Sequence, residues 1–149
     1  MARILAISSG GGHWVELCRL LPALEGRDVA FASIYPEYAL DVPSHDFYTF
    51  CDFSRFSKRN VFPLFFQLVR ILVIVRPKIV ITTGSAPALL ALALAKVFLQ
   101  SKTMWIDSIA NSEHLSSSGY VARHFADIWL TQWQHLSGNA GPQYWGAVL

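Results

Sequence analysis

Two glycine-rich segments are the parts of this sequence best suited to bind a ligand. The segment from Ser9 to Gly12 leads into His13 and Glu16, and the second segment, Thr83 to Ser85, follows the apolar run Ile79 to Ile81. Each has an apolar run before it and an apolar helical pattern after it, which predicts a strand-to-helix turn. Glycine lets the backbone approach a ligand, and N–H groups at a helix start favour anions. We therefore predict a pyrophosphate site formed by Ser9, Gly10, Gly11, Gly12, Thr83, Gly84 and Ser85.

Both turns also have a simpler explanation. The first could be a tight turn that needs small residues, with His13 acting only as a cap. In the second, Ser85 could serve only as the N-cap of a helix that opens at Pro87. The first turn is neither a P-loop, because no Gly-Lys-Ser/Thr follows, nor a dinucleotide fingerprint, because its third glycine is misplaced.

Two side chains are candidates for catalysis. His13 lies beside the expected anion, where an imidazole can donate a hydrogen bond or act as a base near neutral pH. Asp107 ends a predicted strand and could act as a base, bind sugar hydroxyls or orient His13; the alternative is a carboxylate satisfied by loop N–H groups. Glu16 and Glu113 are supporting candidates. Glu16 could share a helix face with His13 or cap the helix, and Glu113 could be merely a solvated loop residue.

The elements that position these residues alternate between strand and helix along the whole chain. Such alternation predicts an α/β, Rossmann-like fold, in which one domain (1–149) has a parallel sheet with helices on both faces. Ligands bind at the carboxyl ends of such strands, which is where both glycine turns and Asp107 fall. Strands are predicted at 3–8, 28–34, 46–50, 78–83, 103–107 and 127–131, helices at 13–24, 61–75, 87–99 and 119–125, and an irregular tail at 138–149.

The composition limits the possible partners. Of the 149 residues, 53% are hydrophobic and 15% are charged, against about 25% charged in a typical soluble domain. Some apolar surface is therefore expected to be covered by a partner or by lipid. The net charge of +2 and the lack of any nucleic-acid motif argue against nucleic acid. No metal-ligand spacing is present, and we predict neither a metal nor a cofactor.

A basic cluster precedes a strongly apolar helix pattern. Arg55, Lys58 and Arg59 come just before the predicted helix 61–75. This order favours a helix that lies in the membrane interface, with Phe62, Phe65 and Phe66 as contacts; a buried helix would look similar. No spanning helix is predicted, because the apolar stretch 79–95 is divided by its glycine turn and Pro87.

Taken together, these residues resemble the Alg14-like group of oligosaccharide biosynthesis proteins, which includes bacterial capsule and exopolysaccharide proteins of the PssD and CpsF type. The resemblance covers nearly the whole chain. The matching motifs are Ser9 to Glu16, Pro77 with Ile79 to Ser85, Ile106-Asp107-Ser108, Leu115-Ser116, Ser118-Gly119, Ala126-Asp127 and Gln132-Trp133. Asp107 departs from the pattern, since relatives often have Glu there.

The resemblance implies the N-terminal half of a MurG-type, GT-B glycosyltransferase. A separate PssE/Alg13-like chain would supply the C-terminal half and bind most of a UDP-sugar. The acceptor would be a sugar on a lipid pyrophosphate at the cytoplasmic face of the membrane, held by the turn of Gly10 to His13 and by that of Thr83 to Ser85. Eukaryotic relatives add an N-terminal membrane helix, which we expect this chain to lack. We expect the N-terminal half of the enzyme to give way to the half formed by the partner chain near Trp145.

The resemblance thus predicts a peripheral glycosyltransferase subunit that is active only with its partner, in exopolysaccharide or capsule synthesis. His13 is the first candidate for the base and Asp107 the second. The alternatives are a non-catalytic subunit that docks to the membrane and activates the partner, or a free-standing nucleotide-binding enzyme.

Overall fold

A computed structural model describes residues 3–53 and 61–148 of the protein. Within these residues the chain forms seven strands, five α-helices and two short 3-10 helices. The strands are β1 (Ile4–Ile7), β2 (Val29–Ser33), β3 (Asp46–Thr49), β4 (Ile79–Thr82), β5 (Lys102–Ile106), β6 (Ile128–Thr131) and β7 (Gln143–Tyr144). The α-helices are α1 (Gly12–Cys18), α2 (Leu21–Leu24), α3 (Val61–Val75), α4 (Ala86–Leu99) and α5 (Ser117–Ala122), and the 3-10 helices are Pro36–Asp41 and Gln134–Leu136.

The seven described strands form one sheet in the order β3-β2-β1-β4-β5-β6-β7, and each pair of neighbours is parallel. Short runs rich in Ile, Val and Ala suit such strands because both faces of a parallel sheet are covered. The direction of winding reverses between β1 and β4, where Ile7 pairs with Thr82. The carboxyl ends of these two strands are therefore neighbours, which is the usual ligand site of this architecture.

Helices cover both faces of the sheet, as predicted. Successive side chains of a strand point to opposite faces. Accordingly, Leu5 and Ile7 pack in the core cluster of α3 and α4, whereas Ile4 and Ala6 pack in that of α1 and α2. Leu68 at the centre of α3 is completely buried, and truncating such a leucine to alanine costs about 2–5 kcal/mol.

The predicted helix 13–24 is wrong, because the structure divides it into α1 and α2. Pro22 is the physical reason. It lacks an N–H for the helical ladder, and its ring would collide with the carbonyl of Cys18, so it sits at the start of α2 instead. Cys18 packs against the core at the end of α1, and burial, aided by nearby Asp41, raises the pKa of its thiol to about 11.

Three other segments differ from the elements expected from the sequence. The segment left without a predicted element between the strands 28–34 and 46–50 contains the 3-10 helix Pro36–Asp41, and the predicted irregular tail contains β7, which pairs with β6. The predicted helix 119–125 instead spans Ser117–Ala122, because Ser116 caps it by accepting from the Gly119 amide.

The apolar helix pattern of α3 has two faces. Leu64, Leu68 and Ile71 are buried against the sheet, whereas Phe62 and Phe66 are 75% and 67% exposed and Phe65 is 37% exposed. The basic residues Arg55, Lys58 and Arg59 lie outside the described residues. Among the described helices, none combines the length and the apolar character needed to cross a membrane; the stretch 79–95 is divided between β4 and α4, as predicted.

Candidate functional site

The two glycine turns meet at the carboxyl edge of the sheet, and His13 joins them. Its ring nitrogen Nδ1 lies 2.9 Å from the Thr83 carbonyl oxygen. In the other direction, the Thr83 hydroxyl donates to the His13 carbonyl at 2.6 Å. The turns after β1 and β4 are thus fastened side by side, on the edge where the sequence places them.

The contact with Thr83 assigns the tautomer of His13. A carbonyl oxygen can only accept, so Nδ1 must carry the proton and donate it. In the neutral ring Nε2 is then a proton acceptor, and the hydrogen bond from Nδ1 to Thr83 orients the ring. This is the arrangement required of a general base.

Gly84 is required beneath this ring. A Cβ atom at this position would stand 2.7 Å from Cε1 and 2.8 Å from Nδ1 of His13, and the backbone has a φ of 125°. Thr83 and Gly84 are both buried and do not line the cavity described next. Their contribution is to hold the imidazole.

A cavity of about 270 Å³ opens in front of His13. Hydroxyl groups dominate its wall, and it contains no lysine, arginine or carboxylate among the described residues. The lining consists of His13, Ala110, Asn111 and the serines Ser85, Ser108, Ser116, Ser117 and Ser118. Such a wall can donate several hydrogen bonds to phosphate oxygens or sugar hydroxyls without supplying net charge.

Ser85 caps the second helix start, and its role in ligand binding stays a prediction. Its side chain caps the 14-residue helix α4 by accepting from the Ala88 amide at 3.4 Å, and it also lines the cavity. It does so with a φ of 94°, a strained conformation for a residue with a Cβ. Strain of this kind persists only where the surroundings impose it, and it gathers at functional sites.

The first turn reaches the cavity only through His13. Ser9 is half-buried, and its carbonyl accepts from the hydroxyl of Ser33 at 3.1 Å. Gly10 is also half-buried, whereas Gly11 and Gly12 are exposed. None of these four residues lines the cavity.

Two tyrosines at this turn were missed by sequence reasoning. The hydroxyl of Tyr38 accepts from the Gly11 amide at 3.0 Å, and its ring stacks on Trp14 with the centroids 4.8 Å apart. A Cβ on Gly10 would stand 2.5 Å from the ring of Tyr35. The only signal in the sequence was two aromatic residues in the loop after β2, at the binding edge of the sheet.

Asp107 is buried, with 1% of its surface exposed, and both of its oxygens are occupied. Oδ1 accepts from Trp105 Nε1 and the Ser116 hydroxyl at 3.1 and 2.6 Å. Oδ2 accepts from Asn111 Nδ2 and the Ser116 amide at 3.2 and 3.0 Å. This geometry supports the alternative reading, in which the carboxylate holds the loop that carries Asn111 and Ser116 into the cavity.

Glu16 does not cap α1, since the helix start has no side-chain cap. It is 3% exposed, and its Oε1 accepts from the Ile109 amide at 2.7 Å and from the Ser108 hydroxyl at 3.3 Å. Glu16 therefore fastens α1 to the loop after β5. Glu113 is exposed and does not line the cavity.

The described residues offer no ligand set for a metal ion. Among residues 3–53 and 61–148, no group of three His, Cys, Asp or Glu side chains is arranged to hold a metal ion. The expectation of a metal-free reaction stays a prediction.

A family model described as "Oligosaccharide biosynthesis protein Alg14 like" matches residues 55–148. The chain belongs to this family. The matched range contains the Thr83–Ser85 turn and the loop after β5, while His13 and its turn precede it. Comparison with curated proteins gives no match.

Solved structures share the fold of this Alg14-like chain. MurG of Acinetobacter baumannii is 11% identical with a TM-score of 0.77, and the match covers 99% of this chain and 45% of MurG. The UDP-GlcNAc 2-epimerase of Methanocaldococcus jannaschii is 12% identical (TM-score 0.64), with 87% of this chain and 39% of the epimerase covered. The glycotransferase of kitacinnamycin is 20% identical (TM-score 0.53), with 71% and 30% covered.

The chain spans less than half the length of each of these proteins. At such identities the likeness establishes the fold, which is the N-terminal Rossmann-like domain of a GT-B protein. Family and fold together make this a glycosyltransferase-related protein.

Proposed function

We propose that this chain is the acceptor-binding subunit of a two-component glycosyltransferase. It would hold a sugar linked to a lipid pyrophosphate, while a separate PssE/Alg13-like chain binds a UDP-sugar and closes the cleft. The product would serve exopolysaccharide or capsule synthesis. The observation that carries this proposal is the cavity at the switch point of the sheet, lined by an imidazole that Thr83 holds in place.

The wall of the cavity suits a sugar pyrophosphate. Hydroxyls from Ser85, Ser117 and Ser118 can donate to phosphate or sugar oxygens, whereas those of Ser108 and Ser116 already donate to Glu16 and Asp107. The helix dipole of α4 directs partial positive charge toward Ser85. At the first glycine turn the Gly11 amide already donates to Tyr38, so any further donors to the ligand would be the amides of Gly10 and Gly12. The cavity volume of about 270 Å³ is close to the lower limit of typical ligand sites, which is consistent with a second wall supplied by a partner.

His13 is the group we assign to proton removal. As an acceptor hydroxyl attacks the anomeric carbon, its proton passes to Nε2 of His13. The new bond from oxygen to carbon forms while the bond from the anomeric carbon to the UDP oxygen breaks, and UDP leaves with the electron pair. Attack from the opposite face inverts the configuration. The Nδ1–H bond to Thr83 holds the ring in place throughout.

The decisive experiment is transfer of a labelled sugar by the reconstituted pair of chains. His13→Ala should lower kcat by about 100- to 10,000-fold, the usual contribution of a general base, with the complex intact by gel filtration. His124→Ala is the matched control, because His124 is exposed beyond α5 and outside the cavity. Normal turnover by His13→Ala would favour the alternative of a non-catalytic docking and activating subunit.

A third possibility, a free-standing nucleotide-binding enzyme, makes a different prediction. The isolated chain would then bind UDP or UDP-GlcNAc in calorimetry. Our proposal predicts little binding without the partner, because most of the donor site would lie on that chain.

We further propose that the exposed face of α3 contacts the cytoplasmic membrane surface. Phe62, Phe65 and Phe66 supply the apolar contact, and the preceding Arg55, Lys58 and Arg59 would favour anionic lipid. Flotation with phosphatidylglycerol vesicles tests this. Replacing the three phenylalanines with serine should abolish flotation, whereas Leu40→Ser, a change at another exposed apolar residue, should not; equal flotation of both variants would refute the assignment.

A further inference from the structure

A buried glutamine joins three separate parts of the chain behind the cavity. Gln132 follows β6 and is 4% exposed. Its Nε2 donates to Glu16 Oε1 at 3.2 Å and to the Asp107 carbonyl at 3.0 Å. Its Oε1 accepts from the Val148 amide at 2.7 Å. Helix α1, the loop after β5 and the C-terminal segment thus meet at one side-chain amide.

The first two of these contacts lead directly to the cavity wall. Glu16 Oε1 also accepts from the Ile109 amide and from the hydroxyl of Ser108, a lining residue. On the helix side, Glu16 lies one turn beyond His13. Movement of the Glu16 carboxylate would therefore shift two parts of the cavity lining, Ser108 on the loop after β5 and His13 on α1.

Two residues that follow Gln132 also bind the loop after β5. Trp133 Nε1 donates to the Ile109 carbonyl at 2.8 Å, and His135 Nε2 lies 2.6 Å from the Ser112 carbonyl. The amide and carbonyl of Ile109 are thus both bound by side chains from other elements. A loop fixed in this way keeps its serines in place without a ligand.

The C-terminal segment takes part in this network through both backbone groups of Val148. Its amide donates to Gln132, and its carbonyl accepts from Arg19 Nη1 at 3.1 Å. Arg19 immediately follows α1. Val148 therefore links the end of α1 to the buried glutamine.

We propose that Gln132 is a positioning residue. Through its hydrogen bonds, the packing of residues 145–148 determines the geometry of the cavity. A glutamine suits this place because it donates to two acceptors and accepts one bond, whereas a glutamate would face Glu16 with a like charge. The structural link stands by itself; its effect on sugar transfer rests on the proposed function.

Hydrogen exchange in the isolated chain tests the link. Val148→Pro removes the amide that binds Gln132, and Val148→Ala keeps it. Loss of a buried hydrogen bond corresponds to about a tenfold change in an opening equilibrium. We therefore expect exchange of the Ile109 amide to accelerate by about tenfold in Val148→Pro and to stay at the wild-type rate in Val148→Ala. An unchanged Ile109 rate in Val148→Pro, with residues 145–148 released, would overturn the proposal.

Gln132→Met gives a second test at the other end of the link. It should accelerate Ile109 exchange to a similar degree, while amides of β2 keep their protection if the fold is intact. Uniform acceleration across the sheet would mean that Gln132 serves only global stability, which contradicts the proposal.

Kinetics of the reconstituted pair add the functional readout. Misplacement of the wall should raise KM for the lipid-linked acceptor by about tenfold in Val148→Pro, whereas simple loss of folded protein lowers kcat and leaves KM unchanged. If wild-type protein transfers no sugar with any partner chain, the proposed function fails, and the exchange experiment still decides the structural link.

Discussion

Replacing Gly84 with alanine is the sharpest test of how His13 is held. The added methyl group would stand 2.7 Å from Cε1 of His13, on a backbone with φ of 125°. Either the ring or the turn must move by several tenths of an ångström, and the 2.9 Å contact from Nδ1 to the Thr83 carbonyl should break.

Gly84→Ala should lower the stability of the fold for two reasons. A residue with a Cβ at strongly positive φ costs about 1–3 kcal/mol, and loss of the hydrogen bond from His13 adds about 1 kcal/mol. We therefore expect Gly84→Ala to lower the free energy of unfolding by about 2–4 kcal/mol. For a chain of this size that corresponds to a fall in Tm of about 5–12 °C.

Two measurements on the isolated protein check this prediction. Thermal unfolding followed by circular dichroism gives the stability. Nitrogen-detected NMR of the imidazole gives the tautomer, which should be the Nδ1–H form in the wild type and should lose that preference in the variant. Gly138→Ala is the control, because a Cβ there meets open space. A Gly84→Ala protein with wild-type stability and an unchanged tautomer would refute the reasoning.

The remaining predictions concern three other contacts. Tyr38→Phe removes the acceptor of the Gly11 amide, so that amide should shift in NMR spectra and stability should fall by about 1 kcal/mol; Tyr144→Phe, at an exposed site, should do neither. Asp107→Asn puts a donor against the donors that the carboxylate now accepts from, which should cost about 2–3 kcal/mol in urea unfolding; a midpoint equal to that of the wild type would contradict the buried network. For Asp127, burial by itself raises the pKa, but hydrogen bonds from Lys96 and from Thr103 outweigh it and hold the pKa below its usual value. The stability from this carboxylate is therefore present above about pH 4 and lost as pH falls through the lowered pKa. Asp127→Asn should consequently be less stable than the wild type at pH 7 and equal to it in strong acid. A difference in stability that persists in acid would exclude the ionic cause.

The sheet and the location of the site were predictable because local sequence determines them. Ile79 to Ile81 are consecutive β-branched residues and can hardly form anything but a buried strand. A glycine turn after such a strand marks its carboxyl end, and parallel strands bring those ends to one edge. The position of His13 beside the second turn follows from these two facts.

The hydrogen bonds that complete the site were not predictable, because they join distant parts of the chain. Glu16 and Gln132 are separated by 116 positions, and no local pattern relates them. Tyr38 reaches Gly11 only because a 3-10 helix folds back over the turn. The break at Pro22 is a different case, because the regular spacing of leucines on either side of the proline also fits one continuous helix.

The cavity wall has a consequence for the conditions under which the protein can work. Apart from His13, its lining residues carry hydroxyl, amide or methyl groups and no formal charge. Attraction to an anion would then come from dipoles, which act over a few ångströms and displace few mobile counter-ions. Affinity should consequently change little between dilute buffer and concentrated salt, unlike that of a site built from lysine and arginine. Any long-range capture of a charged ligand would have to come from another surface, such as an anionic bilayer that already concentrates it.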